Sequence, residues 1–179
     1  MAGVRLLEVG GRRLEAASRT AIGIPVTRYP NGGDIKLWVH AVQGREDGPV
    51  LVLLSGLHGG EWFSIESIRT IVRGVEATAL RGTLLAIPVA NPPALRECTR
   101  NIPDESDSPD LNRIFPGPLT WTSDQLIATI SREVLSKATH MIDFHMGPWG
   151  SAFQDTLAAL DFPDPAVVAQ SAELARAFG

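Results

Sequence analysis

Residues 49–55 read Pro-Val-Leu-Val-Leu-Leu-Ser, a run with no polar side until its last residue. Side chains of a strand alternate between two faces, so such a run is a strand only where both faces are covered. Seven residues flanked by glycine and proline are short for a helix and ordinary for a central strand. A glycine-rich turn follows. Residues 62–75 then carry Ile65, Ile68, Ile71 and Val72 at helical spacing. Residues 83–90 (TLLAIPVA) and 139–145 repeat the buried-strand signal. Strands alternating with helices in this way predict a sheet with helices packed against it.

The flanking segments complete that plan. Residues 20–28 and 35–43 are rich in β-branched and apolar side chains, and Asn31-Gly32-Gly33-Asp34 between them predicts a hairpin. Residues 91–118 are rich in proline and acidic side chains and are expected to be mostly loop. A helix is expected over residues 123–137, with Thr122 and Gln125 as a capping box. A short strand is expected near residues 155–160. Pro165 is placed to open a last helix over residues 166–178. The expected fold is α/β, with a mixed, largely parallel central sheet and helices on both faces. Residues 1–19 are expected to be an N-terminal extension and residues 20–179 the domain. Sheets of this kind take ligands at the carboxyl ends of their strands.

Composition narrows the function. The chain has 179 residues, 44% hydrophobic and 20% charged, with a net charge of −4, the balance of a folded globular domain rather than a disordered tail. No run of Lys or Arg marks a nucleic-acid or membrane surface, so neither partner is expected. Cys98 is the single cysteine, which rules out an internal disulfide and a cysteine-rich zinc site. Residues 1–20 lack the apolar core of a signal peptide, and the apolar run at residues 50–54 is too short to span a bilayer. A soluble, cytoplasmic protein is expected; the composition leaves its oligomeric state open.

Three segments carry chemistry. In Gly56-Leu57-His58-Gly59-Gly60-Glu61, a His and a Glu stand three apart between a strand and a helix. In a first helical turn that spacing puts their Cβ atoms about 5–6 Å apart, a gap that one zinc with bonds of roughly 2.0–2.2 Å can bridge. Ile142-Asp143-Phe144-His145 ends another strand, so His145 is placed as a third ligand. Two histidines, a carboxylate and an open position form a catalytic zinc pattern. Asp110-Leu111-Asn112-Arg113 lies in the proline-rich loop. There Asn112 and Arg113 could hold a carboxylate, and Asp110 could accept from the second ring nitrogen of a ligand histidine. Arg100 adds positive charge from the same region. Each segment alone has a plainer reading, as a surface His and Glu, a hydrogen-bonded strand-end histidine, or a solvated turn. His40 lies inside an early strand. His140 opens the strand that His145 ends, roughly 16 Å away.

Taken in order, GLHGGE, NPPALRECTR, DLNRIFPG and DFH resemble the motifs of the succinylglutamate desuccinylase and aspartoacylase family, a branch of the zinc carboxypeptidase-like hydrolases, over about residues 20–179. The resemblance implies one Zn2+ per chain held by His58, Glu61 and His145. It implies that Arg100 helps polarise the scissile carbonyl, that Asn112 and Arg113 hold the substrate carboxylate, and that Asp110 supports the first ligand histidine. The implied function is hydrolysis of an amide bond in a small N-acyl amino acid or related compound. The alternatives are a zinc carboxypeptidase acting on short peptides and a non-catalytic zinc-binding fragment. One departure matters. Family members are much longer, and their general base is a Glu on a later strand. Beyond His145 this chain offers Asp155, Asp161, Asp164 and Glu173, none in a matching context. The expectation is therefore a domain truncated at its C-terminus, able to bind zinc with little turnover.

Overall fold

The computed structural model describes residues 7–29, 31–103, 105, 109–115, 121–147 and 162–178. The chain divides into two units, Met1–Trp149 and Gly150–Gly179. The second contributes the helix Pro165–Phe178, opened by its proline as the sequence predicts. The strand expected near residues 155–160 lies outside the described residues.

In the first unit, Glu8–Val9 (β1) and Arg12–Arg13 (β2) form a two-stranded ribbon. Within the segment expected as an extension, Leu7, Val9 and Leu14 are buried in the main core. The main sheet contains Ser18–Arg28 (β3), Asp34–Gln43 (β4), Glu46–Ser55 (β5), Arg81–Ile87 (β6) and His140–Phe144 (β7). Their order is β3-β4-β6-β5-β7. β3 and β4 form the expected hairpin, with Asn31 Oδ1 accepting from the Gly33 N–H at 3.1 Å inside the turn. β4 pairs antiparallel with β6, and β5 pairs parallel with both β6 and β7. The sheet is therefore mixed.

Alternation along β5 explains the two helical layers. Leu53 faces the helix Trp62–Gly74 (α1), packing with Ile68 and Val72. Val52 and Leu54 face the other way, into the core that holds Leu126, Ile127 and Ile130 of a helix spanning Thr122–Glu133. Each fully buried side chain of this size is worth about 1.5–3 kcal/mol of hydrophobic transfer, so a run apolar on both faces is stable only between two helical layers.

Three local expectations are corrected. The loop over residues 91–118 contains a helix, Pro92–Glu97 (α2). Proline suits the first turn of a helix, and Asn91 Oδ1 caps it by accepting from the Ala94 N–H at 3.2 Å. The helix Thr122–Glu133 (α3) is capped by other residues than Thr122 and Gln125. Asp124 Oδ2 accepts from the Trp121 N–H at 3.0 Å, and Glu105 Oε1 accepts from the Ser123 N–H at 2.9 Å. The segment predicted as a third buried strand, β7, is a half-exposed edge, because among the described residues it pairs on one side only, with β5. No described helix is long and apolar enough to cross a membrane.

Candidate metal centre

β5 ends at Ser55, and the chain turns at Gly56, whose φ of +65° is left-handed. A Cβ there would meet the Pro88 carbonyl oxygen at 2.8 Å, so glycine is required twice over. The loop that follows is pinned. Leu57 is buried, and its carbonyl accepts from Asn91 Nδ2 at 3.1 Å. The Gly59 N–H donates to the Thr99 carbonyl at 2.8 Å. These contacts fix His58 between β5 and α2. Glu61 is the N-cap residue of α1, but its side chain does not cap the helix. Ser64 Oγ instead donates to the Glu61 backbone carbonyl at 2.8 Å. The carboxylate is thereby free to turn into the site, where His58 and Glu61 are both buried.

His145 follows β7 and meets them. Glu61 Oε1 lies 2.9 Å from His58 Nδ1 and 3.0 Å from His145 Nδ1. The two rings are 5.2 Å apart between centroids. Each outer nitrogen faces another carboxylate: His58 Nε2 is 2.9 Å from Asp110 Oδ1, and His145 Nε2 is 2.9 Å from Asp143 Oδ2. Asp110 also accepts from Arg100 Nη2 at 2.7 Å and from the Asn112 N–H at 2.9 Å.

The electrostatics follow from these contacts. Hydrogen bonds donated to Asp143 and then to Glu61 push His145 up to about 10, against the desolvation that would lower it. The hydrogen bond to Glu61 is the main cause of a raised His58, helped by Asp110. Burial alone would raise the Glu61 carboxyl, but hydrogen bonds from His145 and His58 outweigh it and hold it low. Burial would likewise raise Asp110; His58, Arg100 and the Asn112 N–H together hold it well below the usual carboxylate range. Without a metal, each imidazole sits between two anions, which favour its protonated form.

The same atoms suit a divalent ion. Ligand atoms of His58, Glu61 and His145 all lie within 4.8 Å of one another. Glu61 Oε2 is buried and has no hydrogen-bond partner among the described residues, leaving an oxygen for a cation. Donors about 2.0–2.1 Å from a tetrahedral zinc sit roughly 3.3 Å apart, so the two spacings to Glu61 Oε1, 2.9 and 3.0 Å, need to open by only a few tenths of an ångström. Two imidazole nitrogens and one carboxylate oxygen are a donor set that zinc accepts with a fourth position open.

Of the residues singled out in the sequence, His58, Glu61, His145, Asp110, Arg100 and Asn112 come together. Asn112 Nδ2 lies 3.3 Å from His145 Nε2. Arg113 is exposed, and its guanidinium turns back to donate to the Asn112 carbonyl at 3.0 Å. Arg100 is engaged with Asp110 rather than standing free. Asp143 is the residue that sequence reasoning passed over. Its signal was its place two residues before His145 on a strand, which puts both side chains on one face. His140 is bonded to its neighbour, with Nδ1 2.8 Å from Thr139 Oγ1. A separate groove of about 950 Å³, lined by Trp38, His40, Trp62, Phe63 and Arg69 among others, includes none of these site residues.

Known proteins resemble this chain in sequence and fold. Residues 47–179 match the succinylglutamate desuccinylase/aspartoacylase catalytic domain. Over 104 residues the chain is 28% identical to an N-alpha-acetyl-L-2,4-diaminobutyric acid deacetylase of Halomonas elongata, covering 58% of this chain and 30% of that protein. A crystal structure of an aspartoacylase family protein from Mesorhizobium loti superposes with a TM-score of 0.65 at 25% identity, covering 81% of this chain and 44% of that one. A succinylglutamate desuccinylase/aspartoacylase from Rhodobacter sphaeroides does so with a TM-score of 0.63 at 28% identity, covering 71% and 39%. The chain thus spans less than half the length of each of these relatives. Motif, fold and match agree that this chain belongs to the succinylglutamate desuccinylase/aspartoacylase family.

Proposed function

We propose that this chain carries the metal centre of a zinc-dependent hydrolase that cleaves the amide bond of a small N-acyl amino acid. The observation that carries the reading is the convergence of His58 Nδ1 and His145 Nδ1 on Glu61, with each Nε2 held by a carboxylate. Bound zinc would supply Lewis acidity toward a carbonyl and toward water. The side chains do the rest. His58, Glu61 and His145 hold the ion and leave one side open. Asp110 and Asp143 keep the imidazoles oriented. Arg100, paired with Asp110 on one edge of its guanidinium, keeps other N–H groups to share negative charge that develops on a carbonyl oxygen. Asn112 and Arg113, adjacent on the turn Leu111–Arg113, offer an amide and a guanidinium to a substrate carboxylate. The named activity of the Halomonas elongata relative, a deacetylase of an N-acetyl amino acid, supports this substrate class.

One observation favours a second reading, zinc binding without turnover. Every described carboxylate at the centre is already engaged: Glu61 with both histidines, Asp110 with His58 and Arg100, and Asp143 with His145. Asp155 and Asp161 lie outside the described residues. In the second unit, Asp164 accepts from the Ala166 N–H at 2.8 Å at the start of the helix that contains Glu173. A positioned base typically adds about 10²–10⁴-fold in rate. The deciding experiment assays the zinc-loaded chain, and a longer protein that contains it, against N-acetyl and N-succinyl amino acids. Zinc-dependent release of the free amine by either supports the hydrolase; zinc binding with release by neither supports the second reading.

A further inference from the structure

We infer that Glu105 is a positioning residue: its carboxylate, seated on the first turn of α3, holds in place the arm of chain that brings Arg100 and Asp110 to the metal centre. The inference rests on the zinc reading above and concerns what holds that arm. Arg100 and Asp110 are ten residues apart and close on each other through their 2.7 Å ion pair. Arg100 is largely exposed, and an exposed ion pair is too weak to close a loop of that length by itself. A further tie within the arm has to fix it. Glu105 stands midway, five residues from each partner.

On either side of Glu105 the arm is held by apolar contact. Ile102 and Leu111 are buried in the core that also contains Leu126 and Ile127 of α3. Between them Glu105 Oε1 accepts from the Ser123 N–H at 2.9 Å, from 18 residues away in the chain. The first N–H groups of a helix have no partner within it and favour an anion. A carboxylate therefore grips this end of α3 more strongly than a neutral acceptor would. Glu105 is buried, and its Oε2 and Ser123 Oγ have no hydrogen-bond partner among the described residues. Burying a carboxylate with one oxygen unmatched costs stability. Helix capping alone does not account for that cost, because α3 already has Asp124 accepting from the Trp121 N–H at the same end. Holding the arm does account for it. The residue that benefits is Asp110, which meets both His58 Nε2 and the Asn112 N–H at 2.9 Å. Glu105 thus acts on the centre through Asp110.

The test measures zinc affinity by chelator competition in wild type, Glu105→Ala, Glu105→Gln, Asp110→Ala and the double variant Glu105→Ala/Asp110→Ala. It also follows amide hydrogen exchange at Asn112 in the metal-free chains. Glu105→Ala is expected to lose about threefold to tenfold in affinity, less than the roughly 10–100-fold typical of losing the histidine's own partner. Glu105→Gln keeps an acceptor for the Ser123 N–H and is expected to stay close to wild type. The double variant should bind no more weakly than Asp110→Ala, because residues that act through one another are not additive. The Asn112 amide, which donates to Asp110, should exchange faster in Glu105→Ala than in wild type or Glu105→Gln. Glu105→Asp keeps the charge but shortens the reach, and is read in the same way should the alanine variant not fold. Unchanged affinity and exchange in folded Glu105→Ala, or losses that add in full in the double variant, would make Glu105 a helix cap only. Either result would overturn the inference while leaving the zinc reading intact. A wild-type chain that binds no zinc would overturn both.

Discussion

Gly59 lies so close to Ala94 that a Cβ on the glycine would meet the Ala94 carbonyl oxygen at 2.0 Å. This contact seats the loop carrying His58 on α2, and α2 leads directly to Arg100. The clash is with backbone, which cannot rotate away as a flexible side chain would. Gly59→Ala is therefore expected to cost about 1–3 kcal/mol, in the range of overpacked sites, and to weaken zinc binding by displacing His58. Urea denaturation and a zinc titration check both effects. An alanine variant with wild-type stability and affinity would show that the loop does not depend on this contact.

Asp110 and Arg100 make a 2.7 Å ion pair, yet their loss should have different consequences. Arg100 is largely exposed, and an exposed pair is worth only about 0–1 kcal/mol. Arg100→Ala should therefore leave zinc affinity within a few-fold while slowing any turnover. Asp110→Ala removes the acceptor from His58 Nε2 and should weaken zinc about 10–100-fold. Isothermal titration of the two variants with zinc separates them; equal losses would mean that Asp110 acts only through its arginine.

Metal-free stability should fall in alkali. His145 and His58 are raised in the folded chain, so folding favours their protonated forms. The resulting stability is fully present below the ordinary histidine value of 6.5 and is lost as the pH rises toward the His145 value of about 10. Zinc must displace the same protons, so its affinity should keep rising with pH across that interval. Denaturation midpoints of the metal-free chain and zinc titrations between pH 6 and pH 10 test both slopes. Flat midpoints, or affinity that levels off near the ordinary histidine value, would contradict the contacts described.

These relationships differ in how far the sequence reveals them. The strand over residues 49–55 and the apolar stripe of α1 are legible because burial writes its own period into the chain. The pairing of His58 with Glu61 is legible because it is local. The meeting of Glu61 with His145 spans 84 residues, and no periodicity encodes it; it was reached through the order of motifs. α2 was missed because Pro92 and Pro93 read as loop, although proline after an asparagine cap suits a first helical turn. The one-sided pairing of β7 among the described residues is a property of strand order, which apolar residues such as Ile142 and Phe144 do not announce. Asp143 became visible only once it shared a strand face with His145.

Turnover by the 179-residue chain is expected to be low even when it is loaded with zinc, because the described carboxylates at the centre are all bound to imidazoles. The check is the rate of amine release from an N-acetyl amino acid, measured beside a longer protein containing the chain. A rate equal to that of the longer protein would show that a group such as Asp155, Asp161, Asp164 or Glu173 acts as the base.

The most direct test of the account is the zinc content and affinity of the purified chain beside His58→Ala, Glu61→Gln and His145→Ala. The account predicts one zinc per wild-type chain and a large loss of affinity in each variant, with folding preserved by circular dichroism. A wild-type chain that takes up no zinc, or variants that hold it as tightly as wild type, would contradict the assignment of this cluster as a metal centre.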